Sequence, residues 1–167
     1  PEEIGLTRTL LDVALVFSTI CTLGSIPVTL KFFPFYKEYL PKDKNDLPFV
    51  TLMLGITGSL LLLLILPHFK PLIIRKFGAR SPLFVDYFDL IYPLTITLVF
   101  FTLFEAHAWS QKKAVLSNTL KEFVFRLLTP LFILLFVYKL LNYHQFIHLY
   151  AYIFLLPVMV FIYRLSR

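Results

Sequence analysis

The lengths of the charge-free runs constrain this chain more than any other feature. Val13–Leu30 lies between Asp12 and Lys31, and Leu47–Phe69 lies between Asp46 and Lys70, with no Asp, Glu, Lys or Arg inside either run. A bilayer's hydrocarbon core is about 30 Å thick, and a helix needs about 20 mostly apolar residues to cross it. A transmembrane β-strand would instead show ~10-residue alternating segments, and none is visible. The pattern predicts an all-α integral membrane protein, a bundle of about five transmembrane helices kinked by prolines, with four as the alternative count.

Composition agrees. Of 167 residues, 58% are hydrophobic and 16% charged, against about 25% charged in soluble domains, and mean hydropathy is +0.78. The net charge of +6 is no nucleic-acid footprint, because the cations flank apolar runs and leave no soluble basic face. Cys21 is the single cysteine, so it makes no internal disulfide and reads as a small packing residue. The opening PEEIGLTR has no cationic region before its apolar run, so a cleavable signal peptide is not expected.

Charges and turn residues divide the chain into one transmembrane helical domain, 1–167, with spans near 10–32, 47–69, 82–107, 120–141 and 146–164. Pro34–Pro48 reads as a surface loop. Pro71 is expected to interrupt the second helix, Gly78 to end the basic segment after it, and Ser81-Pro82 to open the third helix as N-cap and first residue. Thr119-x-x-Glu122 has the form of a capping box for the fourth. Asn142–Gln145 reads as a tight connection to the fifth. A four-span reading makes one of the last two runs interfacial. Pro27, Pro67, Pro93, Pro130 and Pro157 place one proline in every span. They either kink helices around a cavity or reflect the ordinary frequency of proline in membrane helices.

Ten of the sixteen Lys and Arg fall on the face opposite the N-terminus, which favours N-out and C-in. The densest acid-free cluster, Lys70, Arg75, Lys76 and Arg80, argues the other way.

Fifteen residues separate Asp89 from Glu105, about 22 Å of helix, so at least one carboxylate must enter a 30 Å core. Intramembrane acids are costly and often functional. Asp86, Asp89, Glu105 and Arg126 are therefore candidates for a substrate or ion pathway. The plainer alternatives are Asp86 and Asp89 at the interface, paired with Arg75 or Arg80, and a structural Glu105–Arg126 clamp. His144 and His148 share a helix face, and with His68 they are candidate metal or haem ligands, drawing on Asp86 and Asp89. The run Tyr143–Tyr152 is equally what an aromatic belt looks like. A Glu105/His107 acid–base pair lacks a neighbouring nucleophile.

No phosphate-binding glycine loop, zinc-protease, C-x-x-C or nucleophile-elbow motif is present. Small residues at Gly55, Gly58 and Ser59 favour close helix packing. The function favoured is a non-catalytic subunit or accessory protein of a membrane complex, without a cofactor. Its partners would be the lipid bilayer and a membrane protein or a second copy of itself. The alternatives are a small transporter or channel component, and a membrane enzyme or cytochrome-like protein.

Overall fold

The computed structural model describes residues 2–41, 45–77 and 82–165, and their side chains except at 2–4, 76–77 and 165. Every regular element among the described residues is a helix. The helices are α1 (Glu2–Cys21), α2 (Ser25–Tyr39), α3 (Leu47–Phe77), α4 (Pro82–Asp86), α5 (Ile91–Ser110), α6 (Ala114–Phe123), α7 (Thr129–Val137), α8 (Tyr143–Ala151) and α9 (Leu155–Leu165). A 3-10 turn (Phe88–Leu90) precedes α5, and a π turn (Val124–Leu128) joins α6 to α7. The expected N-cap at Ser81, terminator at Gly78 and cation at Arg80 lie outside the described residues.

Among the described residues three segments are long and apolar enough to cross a membrane: Leu47–Arg75, Phe88–Ser110 and Tyr143–Arg164. The bent pair Gly5–Cys21 and Ser25–Tyr39, angled by 51°, makes a fourth if it counts as one span. The expected span near 120–141 is not among them, because Lys121, Glu122 and Arg126 interrupt its apolar run.

That stretch nevertheless runs the length of the bundle. Lys121 meets Glu105 near the C-terminal end of α5. At the other end of α7, Tyr143 stacks edge-on against Tyr87 at 5.4 Å, and His144 lies 6.2 Å from the same ring. Phe161 returns to Phe104 at 6.3 Å. The described helices thus run back and forth in passes between two ends. The Tyr87 end gathers the C-terminal part of α3, α4 and the start of α8. The His107 end gathers the start of α3 and the end of α5.

Proline shapes four of these passes. It has no N–H, so the carbonyl four residues earlier loses its helical partner. For Pro27, Pro93, Pro130 and Pro157 that carbonyl belongs to Leu23, Asp89, Arg126 and Ile153. Each of these sits in a break: the left-handed turn at Leu23 and Gly24, the 3-10 turn, the π turn and the turn before α9. Breaks therefore divide the first, third and fifth passes, which were expected to be continuous. Thr129 Oγ1 donates to the Val124 carbonyl at 3.0 Å, five residues back, and so occupies an acceptor in the widened turn. α3 corrects the opposite expectation. Pro71 does not end it, and the helix continues through both Pro67 and Pro71 to Phe77.

The fourth pass also starts earlier than its capping-box pattern suggests. The helix begins at Ala114, and the Thr119 hydroxyl donates to the Val115 carbonyl in mid-helix at 2.8 Å, so it caps nothing. Asn142 precedes α8, and its backbone N–H donates to Gln145 Oε1 at 3.1 Å.

α5 is the axis of the bundle, apolar and buried around most of its circumference. It packs against α1, α2, α3, α6, α8 and α9. Phe88, Phe101, Phe146, Phe154 and Phe161 are fully buried around it. Gly58 sets the approach of α3 to α1, since a Cβ there would overlap the Cys21 backbone carbonyl. At Gly55 a Cβ would overlap only the tip of the flexible Leu103 side chain, and at Gly5 it would meet nothing. The expected order of destabilisation in detergent thermal melts is Gly58→Ala, then Gly55→Ala, then Gly5→Ala. The first should cost about 1–3 kcal/mol through overpacking against backbone. Equal melting temperatures for all three would refute this packing.

Candidate functional site

The strongest concentration of buried polar chemistry lies at the His107 end, on the last turns of α5. Glu105 and His107 are each 7% exposed. Neither sits where a local sequence rule would pair it, and each is met by a different helix.

His107 Nε2 is 2.9 Å from Thr51 Oγ1 on α3. The Thr51 hydroxyl also lies 3.0 Å from the Leu47 and Pro48 carbonyls. Donating its single proton to a carbonyl leaves its oxygen to accept from His107 Nε2–H. The tautomer with hydrogen on Nε2 is the one compatible with a Thr51 proton donated to a carbonyl, and Nδ1 is buried without a hydrogen-bond partner. A cleft of about 200 Å³ adjoins this contact, lined by Pro48, Thr51, Leu52, Leu103, Phe104 and His107 among others.

Glu105 faces α6. Lys121 Nζ lies 3.7 Å from Glu105 Oε1, and the lysine side chain is 48% exposed while the carboxylate side is 9% exposed. The expected Glu105–Arg126 clamp is therefore corrected. Arg126 instead pairs with Glu122 one turn back on its own helix, and that pair faces outward with 80% and 56% of the side chains exposed. Beside the Glu105 pair, Trp109 Nε1 donates to Ser117 Oγ at 2.6 Å, a second tie between α5 and α6. The left-handed Lys112 makes the turn between these helices.

The other candidates lie at the Tyr87 end. Asp89 accepts from Lys70 Nζ at 2.6 Å, so among the described residues its partner is Lys70 rather than Arg75, and Arg80 lies outside them. Asp86 is exposed. The helix breaks between the two acids at Tyr87, so they do not lie on one continuous α-helix. Of the two ends of the Asp89–Glu105 interval, Glu105 is the buried one.

The histidines do not assemble. The Nε2 atoms of His144 and His148 are 3.2 Å apart, so the two rings bond to each other, and His68 Nδ1 lies 3.0 Å from the Leu64 carbonyl in its own helix. Among the described residues no three His, Cys, Asp or Glu side chains are grouped to hold a metal ion. His68, Asp86, Asp89, His144 and His148 are all described, so the three-ligand set drawn from them is not formed.

Searches against protein-family models, curated proteins and solved structures find no match to this chain.

Sequence reasoning missed Thr51 and Lys121. Lys121 could have been found by counting outward from the turn, because Glu105 and Lys121 are equidistant from residue 113, as are Trp109 and Ser117. Thr51 follows from the same counting across the α3–α4 connection, because Thr51 and His107 are equidistant from residue 79.

A double-mutant cycle tests the Glu105–Lys121 pair. Lys121→Met leaves a buried carboxylate unpaired and should cost about 1–3 kcal/mol. Glu105→Gln should cost less, and the double variant should recover most of the loss in thermal melts. Additive losses would show that the two groups do not interact. For the second contact, Thr51→Val should destabilise by about 1–2 kcal/mol while Thr51→Ser stays near wild type. Equal stability of the two would remove the hydrogen bond from consideration.

Proposed function

We propose that this chain is a multi-pass membrane protein working as a non-catalytic subunit or accessory protein, with a partner packed along its fourth pass. Three to four helices of crossing length and hydropathy support the membrane assignment. The observation that carries the partner is the outward Glu122–Arg126 pair.

Phe125 packs on Phe154, which packs on Phe101. Phe101 lies nine residues before the end of α5, about 13 Å of helix. An ion pair at that depth, facing away from the bundle, would face hydrocarbon in an isolated chain. A charged side chain near mid-bilayer costs about 2.5–3.5 kcal/mol on insertion scales. A partner that presents polar groups to Glu122 and Arg126 removes that cost. α7, directly after them, packs Phe132, Ile133 and Phe136 against the core but leaves Leu131, Leu134 and Val137 exposed, an apolar side open to the same neighbour. In this reading the Lys121–Glu105 and Thr51–His107 contacts brace the fourth pass and α3 against the axis helix.

The transport alternative would rest on Asp86 and Asp89. Their exposed positions and the Lys70 pairing favour an interfacial role. The cytochrome alternative draws its support from His144 and His148, which bond to each other.

A photo-crosslinking residue at Leu127, which is 59% exposed, should give one discrete protein adduct in native membranes. The same residue at Leu64 on α3, 68% exposed, should give lipid adducts only. Glu122→Leu with Arg126→Leu should abolish the Leu127 adduct without lowering the melting temperature of the purified chain. Lipid adducts alone from Leu127 would refute the partner surface.

A further inference from the structure

Two imidazole nitrogens meet at the Tyr87 end of the bundle. His144 and His148 lie one turn apart on α8, so they share a helix face. Their Nε2 atoms are 3.2 Å apart and their ring centres 4.3 Å apart. His144 is exposed and His148 half-buried. An open groove of about 410 Å³ runs beside His148, lined also by Leu141, Gln145, Leu149 and Tyr152. Donor nitrogens, solvent access and room for coordinated water therefore occur together.

The contact lies within one helix, so unlike Thr51–His107 it fastens no two passes. Between solvent-facing imidazoles a mutual hydrogen bond replaces bonds that water would supply, and its net contribution is small. What the arrangement does provide is a pair of nitrogens at chelating distance. Zinc binds imidazole nitrogen at about 2.0–2.1 Å in tetrahedral geometry, which sets two such nitrogens about 3.3–3.4 Å apart. Adjacent corners of a square-planar site at the same bond length would be about 2.8–3.0 Å apart. The observed 3.2 Å is nearer the tetrahedral value.

We propose that His144 and His148 chelate one zinc ion through their Nε2 atoms, with water completing its coordination. In the mutual bond one of the two Nε2 atoms carries hydrogen. Binding moves that hydrogen to Nδ1 of the same ring through solvent, so two lone pairs meet the ion and no net proton is released. Among the described residues no third His, Cys, Asp or Glu joins the pair, so the remaining positions are left to water. The chelate forms only when this stretch is helical, so the ion stabilises the start of α8, directly after the Asn142 connection from the fourth pass. The site is independent of any partner along that pass.

Equilibrium dialysis of the purified full chain in detergent, with zinc alone as the probe, tests the site. One ion per chain should bind. His144→Gln and His148→Gln should each weaken binding about tenfold or more, since either removes one of two protein donors. His68→Gln should bind as wild type, because His68 bonds within its own helix. Magnesium, which prefers oxygen ligands, should not compete. Without zinc the three variants should melt with the wild type, and zinc should raise the melting temperature of the wild type and His68→Gln only. Equal zinc binding by the wild type and the His144→Gln, His148→Gln double variant would place the ion elsewhere and overturn the site. Loss of zinc on His68→Gln would overturn the two-ligand assignment. A wild-type chain that binds no zinc would leave the pair a hydrogen bond and overturn the proposal.

Discussion

The axis helix α5 is the constraint on which the other passes depend. Being apolar on all sides, it must be surrounded, and six helices do so. Yet its last turns carry Glu105 and His107, which cannot be buried without partners. Lys121 and Thr51 meet that requirement in part from two different helices, leaving Glu105 Oε1 and His107 Nδ1 without a hydrogen bond. One end of the bundle is thus fastened by polar contacts, and its middle by phenylalanine packing. In a lipid setting burial of apolar groups gives helices little reason to associate, and close packing with a few polar ties takes over. Gly58 against Cys21 and Thr51 against His107 are instances of each on the same helix.

The second recurrent device is the proline break. A proline frees one carbonyl, and in an apolar surrounding a freed carbonyl needs either another donor or a local change of helix form. Four passes place that carbonyl in a turn, a 3-10 segment or a π segment. The result is a bundle of bent passes, in which each bend alters what the next helix half can touch. The bend after Cys21 sets α2 at 51° to α1, and the π turn carries Arg126 on the outer side of the fourth pass.

Much of this was legible in the sequence because hydrocarbon imposes a length rule and charges mark its limits. The runs at 13–30 and 47–69 fall on α1–α2 and α3. What failed was geometry across helices. Arg126 looked a suitable partner for Glu105, but it is one turn and more too far from the turn at Lys112, and Lys121 is the residue that returns level with the acid. By the same counting Lys70 and Asp89 are equidistant from residues 79–80. Asp86 and Asp89 were read as lying on an unbroken helix, which the break at Tyr87 interrupts. His144 and His148 did fall together, as four-residue spacing requires, but on each other. The same counting places Thr51 level with His107, since each is 28 residues from residue 79, although it does not say which face of α3 turns toward α5.

The fourth pass is the central claim, since it decides whether Glu122 and Arg126 lie within a membrane at all. Single cysteines introduced as Gln111→Cys and Asn142→Cys, in a Cys21→Ala background, bracket it. In sealed vesicles of one orientation, an impermeant maleimide added outside should label only one of the two, and the other only after the vesicles are opened. Labelling of both from the same side would mean that residues 114–137 enter and leave by one face, and would contradict a five-pass chain.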